Sequence, residues 1–141
     1  MSLLLLFTAT APWQSTLAAT ARRLASEGHS EVAVVTALMA CETATERALA
    51  YWIRKRGMLD LESAVTDLLS SYSLANDRVR ALYVALSGDR IQDASFWPQF
   101  RAAAKLRGEV VHSGKRATPE QATAAVAAAE AFVSHISAAA R

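Results

Sequence analysis

Residues that interrupt helices are scarce in this chain of 141 residues, which has only 5 glycines and 3 prolines. Alanine is abundant, and 52% of the residues are hydrophobic. Alanine has the highest intrinsic helix propensity, whereas glycine and proline have the lowest, so this composition favours helices. We expect one domain, residues 1–141, which at this length buries roughly 68% of its unfolded surface.

Cysteine is limited to a single residue, Cys41. One cysteine cannot form an internal disulfide, nor can it build a thiolate metal site alone. We therefore expect a reducing, cytoplasmic setting. Because Cys41 has no adjacent basic residue that would lower its pKa, we interpret it as a small buried side chain rather than a nucleophile.

Neither sign of charge dominates, since 15 Lys and Arg residues face 13 Asp and Glu residues for a net charge of +2. This mildly basic balance permits an anionic partner but is far from that of a protein that coats nucleic acid. The apolar run Leu3–Phe7 is shorter than the roughly 20 residues that span a bilayer, and it lacks the basic start of a secretory signal. We expect segment 1–11, extended or as a helical turn, to pack on the protein or on a neighbouring subunit, with no membrane contact.

Glycine, proline and helix-capping residues divide the chain into six predicted helices. No useful length alternates apolar and polar residues with period two, so we predict no sheet. Thr118-Pro119-Glu120-Gln121 is the strongest start signal, with a Thr cap, Pro in the first turn and Gln three residues after the Thr. The predicted helices run from Pro12 to about Ser26, from Ser30 to about Arg56, from Asp60 to about Ser71, from Asn76 to Gly88, from about Ser95 to His112, and from Thr118 nearly to Arg141. The predicted architecture is all-α, an antiparallel bundle of four main helices with one or two short ones.

Charged residues interrupt the apolar stripes of two predicted helices. Heptad steps place Val32, Val35, Met39, Glu42, Glu46, Leu49 and Ile53 on one face of the second helix, and Trp97, Phe100, Ala104, Arg107 and Val111 on one face of the fifth. We expect both faces to point inward. Because a lone charge is costly to remove from water, Arg107 is expected to pair with Glu42 or Glu46. Such a pair could be purely structural, or it could mark a functional cleft.

Arg107 and His112 are the candidate catalytic residues. Arginine binds phosphate oxygens through a planar fork of donors, and histidine titrates near neutral pH. Five residues apart, the two side chains lie about 140° apart around an ideal helix, and the long Arg107 side chain can still converge on His112. Lys115 and Arg116, just beyond His112, are candidates for holding a polyanion. We assign no function to His29 or His135.

A metal site is the alternative use of this segment. Glu109 and His112 have the Glu-x-x-His spacing, but a di-iron bundle needs that spacing on two helices. The sequence contains one copy. We therefore predict neither a metal nor another cofactor.

The segment Lys105–Gly114, followed by Thr118–Gln121 and an Ala-rich last helix, resembles the HEPN superfamily (higher eukaryotes and prokaryotes nucleotide-binding). Its mark is an Arg followed four to six residues later by His, near the end of a late helix in a bundle. The resemblance implies a homodimer with two Arg-His pairs in one cleft. It also implies a metal-independent endoribonuclease of the toxin or antiviral type, with His112 as general base or acid and Arg107 stabilising phosphoryl charge.

Gly108 departs from the pattern, because active members usually carry a polar residue directly after the Arg. Either Glu109 or an inward carboxylate such as Glu42 or Glu46 substitutes for it, or the domain has no nuclease activity. The alternative function is a catalytically inactive module that binds RNA, nucleotides or a protein. An antitoxin or a nucleotidyltransferase is a possible partner in either case, and an unrelated protein-binding bundle is a more remote alternative.

Overall fold

The structure, a computed structural model, describes residues 12–140, and within that range every regular element is helical. The helices are α1 (Trp13–Ser26), α2 (Ser30–Lys55), α3 (Glu62–Leu68), α4 (Asp77–Ser87), α5 (Trp97–Ser113) and α6 (Pro119–Ala139), with 3-10 turns at Leu59–Leu61 and Ile91–Asp93. The predicted all-α bundle is confirmed. The third helix is shorter than predicted, because a 3-10 turn replaces its start and Leu69 is already extended.

Local signals account for several helix ends. The predicted capping box of α6 is present, because the Thr118 hydroxyl accepts from the Gln121 N–H and the Gln121 side chain accepts from the Thr118 N–H. Asn76 caps α4 by accepting from two backbone N–H groups. Gly114 ends α5 in the left-handed region, at φ 65°, which glycine adopts without steric cost.

Helix α2 lies at the centre and packs against α1, α5 and α6. Its buried side is rich in alanine, and small side chains allow the neighbouring helices to approach closely. The bulky part of the core lies between α5 and α6, where the Phe100 and Phe132 rings stack with centroids 4.6 Å apart. Trp97 extends this cluster at 5.1 Å from Phe100.

The predicted inward stripe of α2 is wrong over the first half of the helix. Val32 is 54% exposed and Met39 is 45% exposed, whereas Leu49 and Ile53 are buried. The small Ala face, rather than the larger Val and Met side chains, packs against α1 and α6. The second half is covered because α3 and the segment after it lie over Leu49 and Ile53.

The predicted inward stripe of α5 is also buried over only part of its length. Trp97 and Phe100 are buried, Arg107 is partly buried, and Val111 is 54% exposed. The predicted inward face is therefore correct at the start of α5 and wrong at Val111. Arg107 lies at the boundary between the core and the solvent.

Helix α6 is long and apolar enough to cross a membrane by length and composition alone, with a mean hydropathy of 1.3. Its packing gives that apolar character another explanation, since Phe132, Val133 and Ile136 are buried in the core. The Leu3–Phe7 run lies outside the described residues.

Candidate functional site

Arg107 projects from α5 onto Glu42 of α2. The guanidinium Nη2 lies against Glu42 Oε1, and the two side chains are 25% and 30% exposed. The predicted contact of Arg107 with a carboxylate of α2 is thus present, with Glu42 as its partner. A second ion pair, between Arg116 just after α5 and Glu31 near the start of α2, indicates that α5 and α2 run antiparallel here.

The contact between Arg107 and Glu42 joins one guanidinium nitrogen, Nη2, to one carboxylate oxygen, Oε1, which is buried. Arginine has five N–H donors. The contact therefore balances charge, and the partly exposed guanidinium has further N–H donors for another acceptor.

Glu46 lies one turn beyond Glu42 on α2, and it is exposed. It forms no ion pair with any residue from 12 to 140. Of the two carboxylates considered as partners for Arg107, the structure selects Glu42. Glu46 instead lines an open groove on the outer side of α2.

His112 occupies the last turn of α5 and is exposed. The imidazole makes no hydrogen bond or ion pair with the part of the chain that the structure describes. Arg107 and His112 therefore share one helix end without direct contact. A substrate phosphate that reaches both would have to bridge the turn of helix between them.

Gly108, between these two residues, has free space beside it. Apart from the adjacent residues and the backbone of α5 itself, no heavy atom of residues 12–140 lies within 4 Å of the position that a Cβ would occupy. A Cβ at this position therefore meets no side chain or neighbouring helix of the described chain.

Glu109, Lys115 and Arg116 form the edge of the site. Lys115 Nζ lies 3.1 Å from Glu109 Oε2, and Arg116 Nε lies 3.3 Å from Glu31 Oε1. Glu31 also accepts a hydrogen bond from the Ala117 N–H at 2.9 Å. Glu109 thus holds Lys115 rather than Arg107. Exposed pairs of this kind contribute only about 0.2–1 kcal/mol, so an incoming phosphate can displace them.

Cys41 lies behind the site, and its side chain is buried. Burial raises the pKa of its thiol, and the negative charge of Glu42 raises it further. The thiol therefore stays protonated at neutral pH. This agrees with the interpretation of Cys41 as a buried side chain that is not a nucleophile.

An exposed apolar patch lies beside the Arg107–Glu42 contact. It consists of Val32 and Met39 on α2 and Val111 on α5, all of them close to half exposed or more. Val111 is one helical turn from Arg107, and Met39 is one turn from Glu42. The charged contact thus borders an apolar surface that the described chain does not cover.

A second polar cluster, which no sequence pattern indicates, joins His135 to Asp89 and Tyr83. His135 Nε2 lies 2.9 and 3.1 Å from the two carboxylate oxygens of Asp89, and the Tyr83 hydroxyl donates to Asp89 at 2.7 Å. Burial raises the pKa of Tyr83, and the hydrogen bond to Asp89 adds to the shift. His135 is 46 residues from Asp89 and belongs to no motif with it, so only the fold reveals the cluster.

This cluster fastens the end of α6 to the turn that follows α4. The Phe96 ring contacts His135 edge-on, with centroids 5.4 Å apart. We interpret the cluster as structural, because its side chains hydrogen-bond to one another between packed elements, with Tyr83 buried and Asp89 and His135 only 19% and 33% exposed.

Comparison of the chain with protein-family models, with curated proteins and with solved structures finds no match.

Proposed function

We propose that this protein is a HEPN-like, metal-independent endoribonuclease of the toxin or defence type, acting in the cytoplasm. The observation that carries the proposal is the state of Arg107. Its charge is balanced by Glu42, which it contacts through Nη2, and its side chain remains 25% exposed to solvent. A phosphate is the acceptor for which such a guanidinium is suited.

In the proposed reaction the RNA 2′-hydroxyl attacks the adjacent phosphorus, and the bond to the 5′-oxygen breaks. One His112 imidazole accepts the 2′-hydroxyl proton, and a protonated imidazole gives a proton to the leaving 5′-oxygen. Arg107 donates to the phosphoryl oxygens as their charge develops. The products are a 2′,3′-cyclic phosphate end and a 5′-hydroxyl end.

This proton balance requires both a base and an acid, and each chain supplies one His112. A homodimer with two facing α5 helices provides the pair. The exposed patch of Val32, Met39 and Val111 supports this arrangement, because an apolar surface of this kind gains stability when a second copy covers it. Two-fold symmetry would then bring the two Arg107–His112 ends to one cleft.

Lys115 and Arg116 are proposed to bind phosphates on either side of the scissile one. Both are exposed, and both are held by carboxylates. Binding RNA therefore exchanges weak surface ion pairs for contacts to phosphate. Because such binding releases counterions, we expect the affinity to fall as the salt concentration rises.

A second candidate is a catalytically inactive module that binds RNA, a nucleotide or a protein such as an antitoxin or a nucleotidyltransferase. Two observations favour it. Gly108 supplies no polar group after Arg107, and each of the three cations at the site already faces a carboxylate. In this case the Arg107–Glu42 contact serves helix packing alone.

Incubation of the purified protein with total RNA in EDTA tests the proposal. We expect cleavage by the wild type and its loss in His112→Ala and Arg107→Ala. Two controls match these variants. His29→Ala removes an exposed histidine outside the site, and Arg22→Ala removes an interhelical ion pair with Glu130. Both controls should cleave normally, and the RNA ends should carry 2′,3′-cyclic phosphate.

The alternatives give different results. A folded dimer that binds RNA without cleaving it supports the inactive module. A protein that is monomeric at micromolar concentration argues against the shared cleft. Cleavage that persists in both site variants means that a different part of the chain, or a contaminant, carries the activity.

A further inference from the structure

An open groove of about 920 Å³ runs along the outer side of α2, between that helix and the start of α1. Its lining residues, in sequence order, are Trp13, Thr43, Glu46, Arg47, Ala50, Tyr51, Arg54 and Lys55. The part contributed by α2 extends over 13 residues, from Thr43 to Lys55, which is about 18 Å of helix. Arg47, Tyr51 and Arg54 follow one another along it at intervals of about one helical turn.

The groove is basic. Three cations line it against one carboxylate, Glu46. Arg54 is held by two hydrogen bonds to Glu62, at 3.0 and 3.1 Å. Arg47 and Lys55 are exposed and form no ion pair with any residue from 12 to 140. Two cations are therefore available to an anionic ligand.

Two aromatic side chains stand among these cations. Trp13, at the start of α1, is 53% exposed, which is unusual for so large an apolar side chain. Tyr51 is oriented by Trp52, which meets it edge-on with ring centroids 5.1 Å apart. Exposed ring faces beside cations are the pairing that binds single-stranded nucleic acid, in which bases stack on the rings and phosphates meet the cations.

One end of the groove lies near the Arg107 site. Glu46 lines the groove, and it stands one helical turn from Glu42, which contacts Arg107. At the 3.4 Å per phosphate of a stacked strand, a length of about 18 Å holds at most about five phosphates. A strand in the groove that continues past Glu46 would therefore approach Arg107.

We propose that this groove binds a short segment of single-stranded nucleic acid, with a base stacked on Trp13 and phosphates on Arg47 and Lys55. Identifying that strand as the RNA substrate rests on the proposed function. The binding itself does not, because stacking and phosphate contacts need no 2′-hydroxyl. A deoxyoligonucleotide is therefore a suitable probe, since the proposed reaction cannot cleave it.

The test measures fluorescence anisotropy of a labelled twelve-residue oligothymidylate with the full chain at several salt concentrations. Arg47→Ala combined with Lys55→Ala should reduce the salt dependence of log K by about 1.4, from about 0.7 for each phosphate contact. Arg78→Ala combined with Arg90→Ala removes the same charge from two exposed residues outside the groove, and it should leave the salt dependence nearly unchanged.

Trp13 provides the second measurement. Trp13→Ala should weaken binding about 5- to 150-fold, which corresponds to the loss of one stacked base. Trp13→Phe keeps a ring and should lose much less affinity. Oligonucleotide binding should also quench tryptophan emission in the wild type and not in Trp13→Phe, because Trp97 is buried and Trp52 is partly buried.

The outcomes separate this inference from the proposed function. Equal binding by the wild type and the groove variants overturns the groove as the binding surface, whether or not the protein cleaves RNA. Undetectable binding by the wild type at low salt overturns it as well. Binding that depends on the groove supports the inference even if RNA is never cleaved, and in that case only the nuclease proposal fails.

Discussion

Replacing Gly108 with Ala should stabilise the protein. Gly108 lies inside α5, five residues before its end, where a glycine costs about 0.8–1.0 kcal/mol relative to alanine. Outside the α5 backbone and the adjacent residues, no heavy atom of residues 12–140 lies within 4 Å of the new Cβ, so no clash offsets this gain. With about 2.1 cal/mol/K of unfolding entropy per residue over 141 residues, the gain raises Tm by about 3 °C.

Thermal and urea denaturation followed by circular dichroism measure this change. Gly114→Ala is the control of opposite sign, because Gly114 has φ 65° and its replacement is strained. A lower Tm for Gly108→Ala would refute the reasoning, since it would mean that something occupies the space beside Gly108. If that loss depends on protein concentration, the neighbour is a second copy. Gly108→Asn tests catalysis at the same position, where the HEPN-like proposal expects at least as much cleavage as in the wild type.

Three further predictions concern stability. A double-mutant cycle of Arg107→Ala and Glu42→Gln should give a coupling energy of about 1–3 kcal/mol, between the values for exposed and buried pairs. If the losses in unfolding free energy of the two single variants, measured by urea denaturation, add up to that of the double variant, this prediction is wrong. Thr118→Ala should cost about 1 kcal/mol by removing the α6 cap, and Thr123→Ala, which loses only a hydrogen bond within the helix, should cost less. Because burial raises the pKa of both Cys41 and Tyr83, unfolding in alkali releases protons, so stability should fall from about pH 8.5 upward. The double variant Cys41→Ala, Tyr83→Phe should lose less unfolding free energy as the pH rises. If its stability depends on pH as steeply as that of the wild type, the prediction is wrong.

The site was only partly predictable from the sequence. The contact of Arg107 with a carboxylate of α2 followed from the heptad positions, because an inward charge needs a partner. The choice of Glu42 over Glu46 did not follow, since it depends on how far α5 is shifted along α2. The roles proposed for Arg107, His112, Lys115 and Arg116 stay predictions.

The groove between α1 and α2 could not be predicted from the sequence for a related reason. Its aromatic and basic residues come from two helices, and no spacing within either one indicates that they meet. Heptad spacing also predicted Val32 and Met39 to face the core. In the bundle a face rich in alanine, together with Val34 and Leu38, is buried instead, and its small side chains let α1 and α6 lie closer to α2.

Most helix boundaries follow from local signals in the sequence, because propensity, proline positions, glycine stops and capping side chains act within a few residues of one another. Thr118, Asn76 and Gly114 could therefore be interpreted correctly without a fold. Which face of each helix is buried depends on the packing of the whole bundle, and this packing leaves Arg107 at the edge of the core, exposes Val111 and joins His135 to Asp89. Burial depends on the size of the facing side chains and on how far each helix is displaced along its neighbour. These are properties of the packed bundle, and no single segment of sequence determines them.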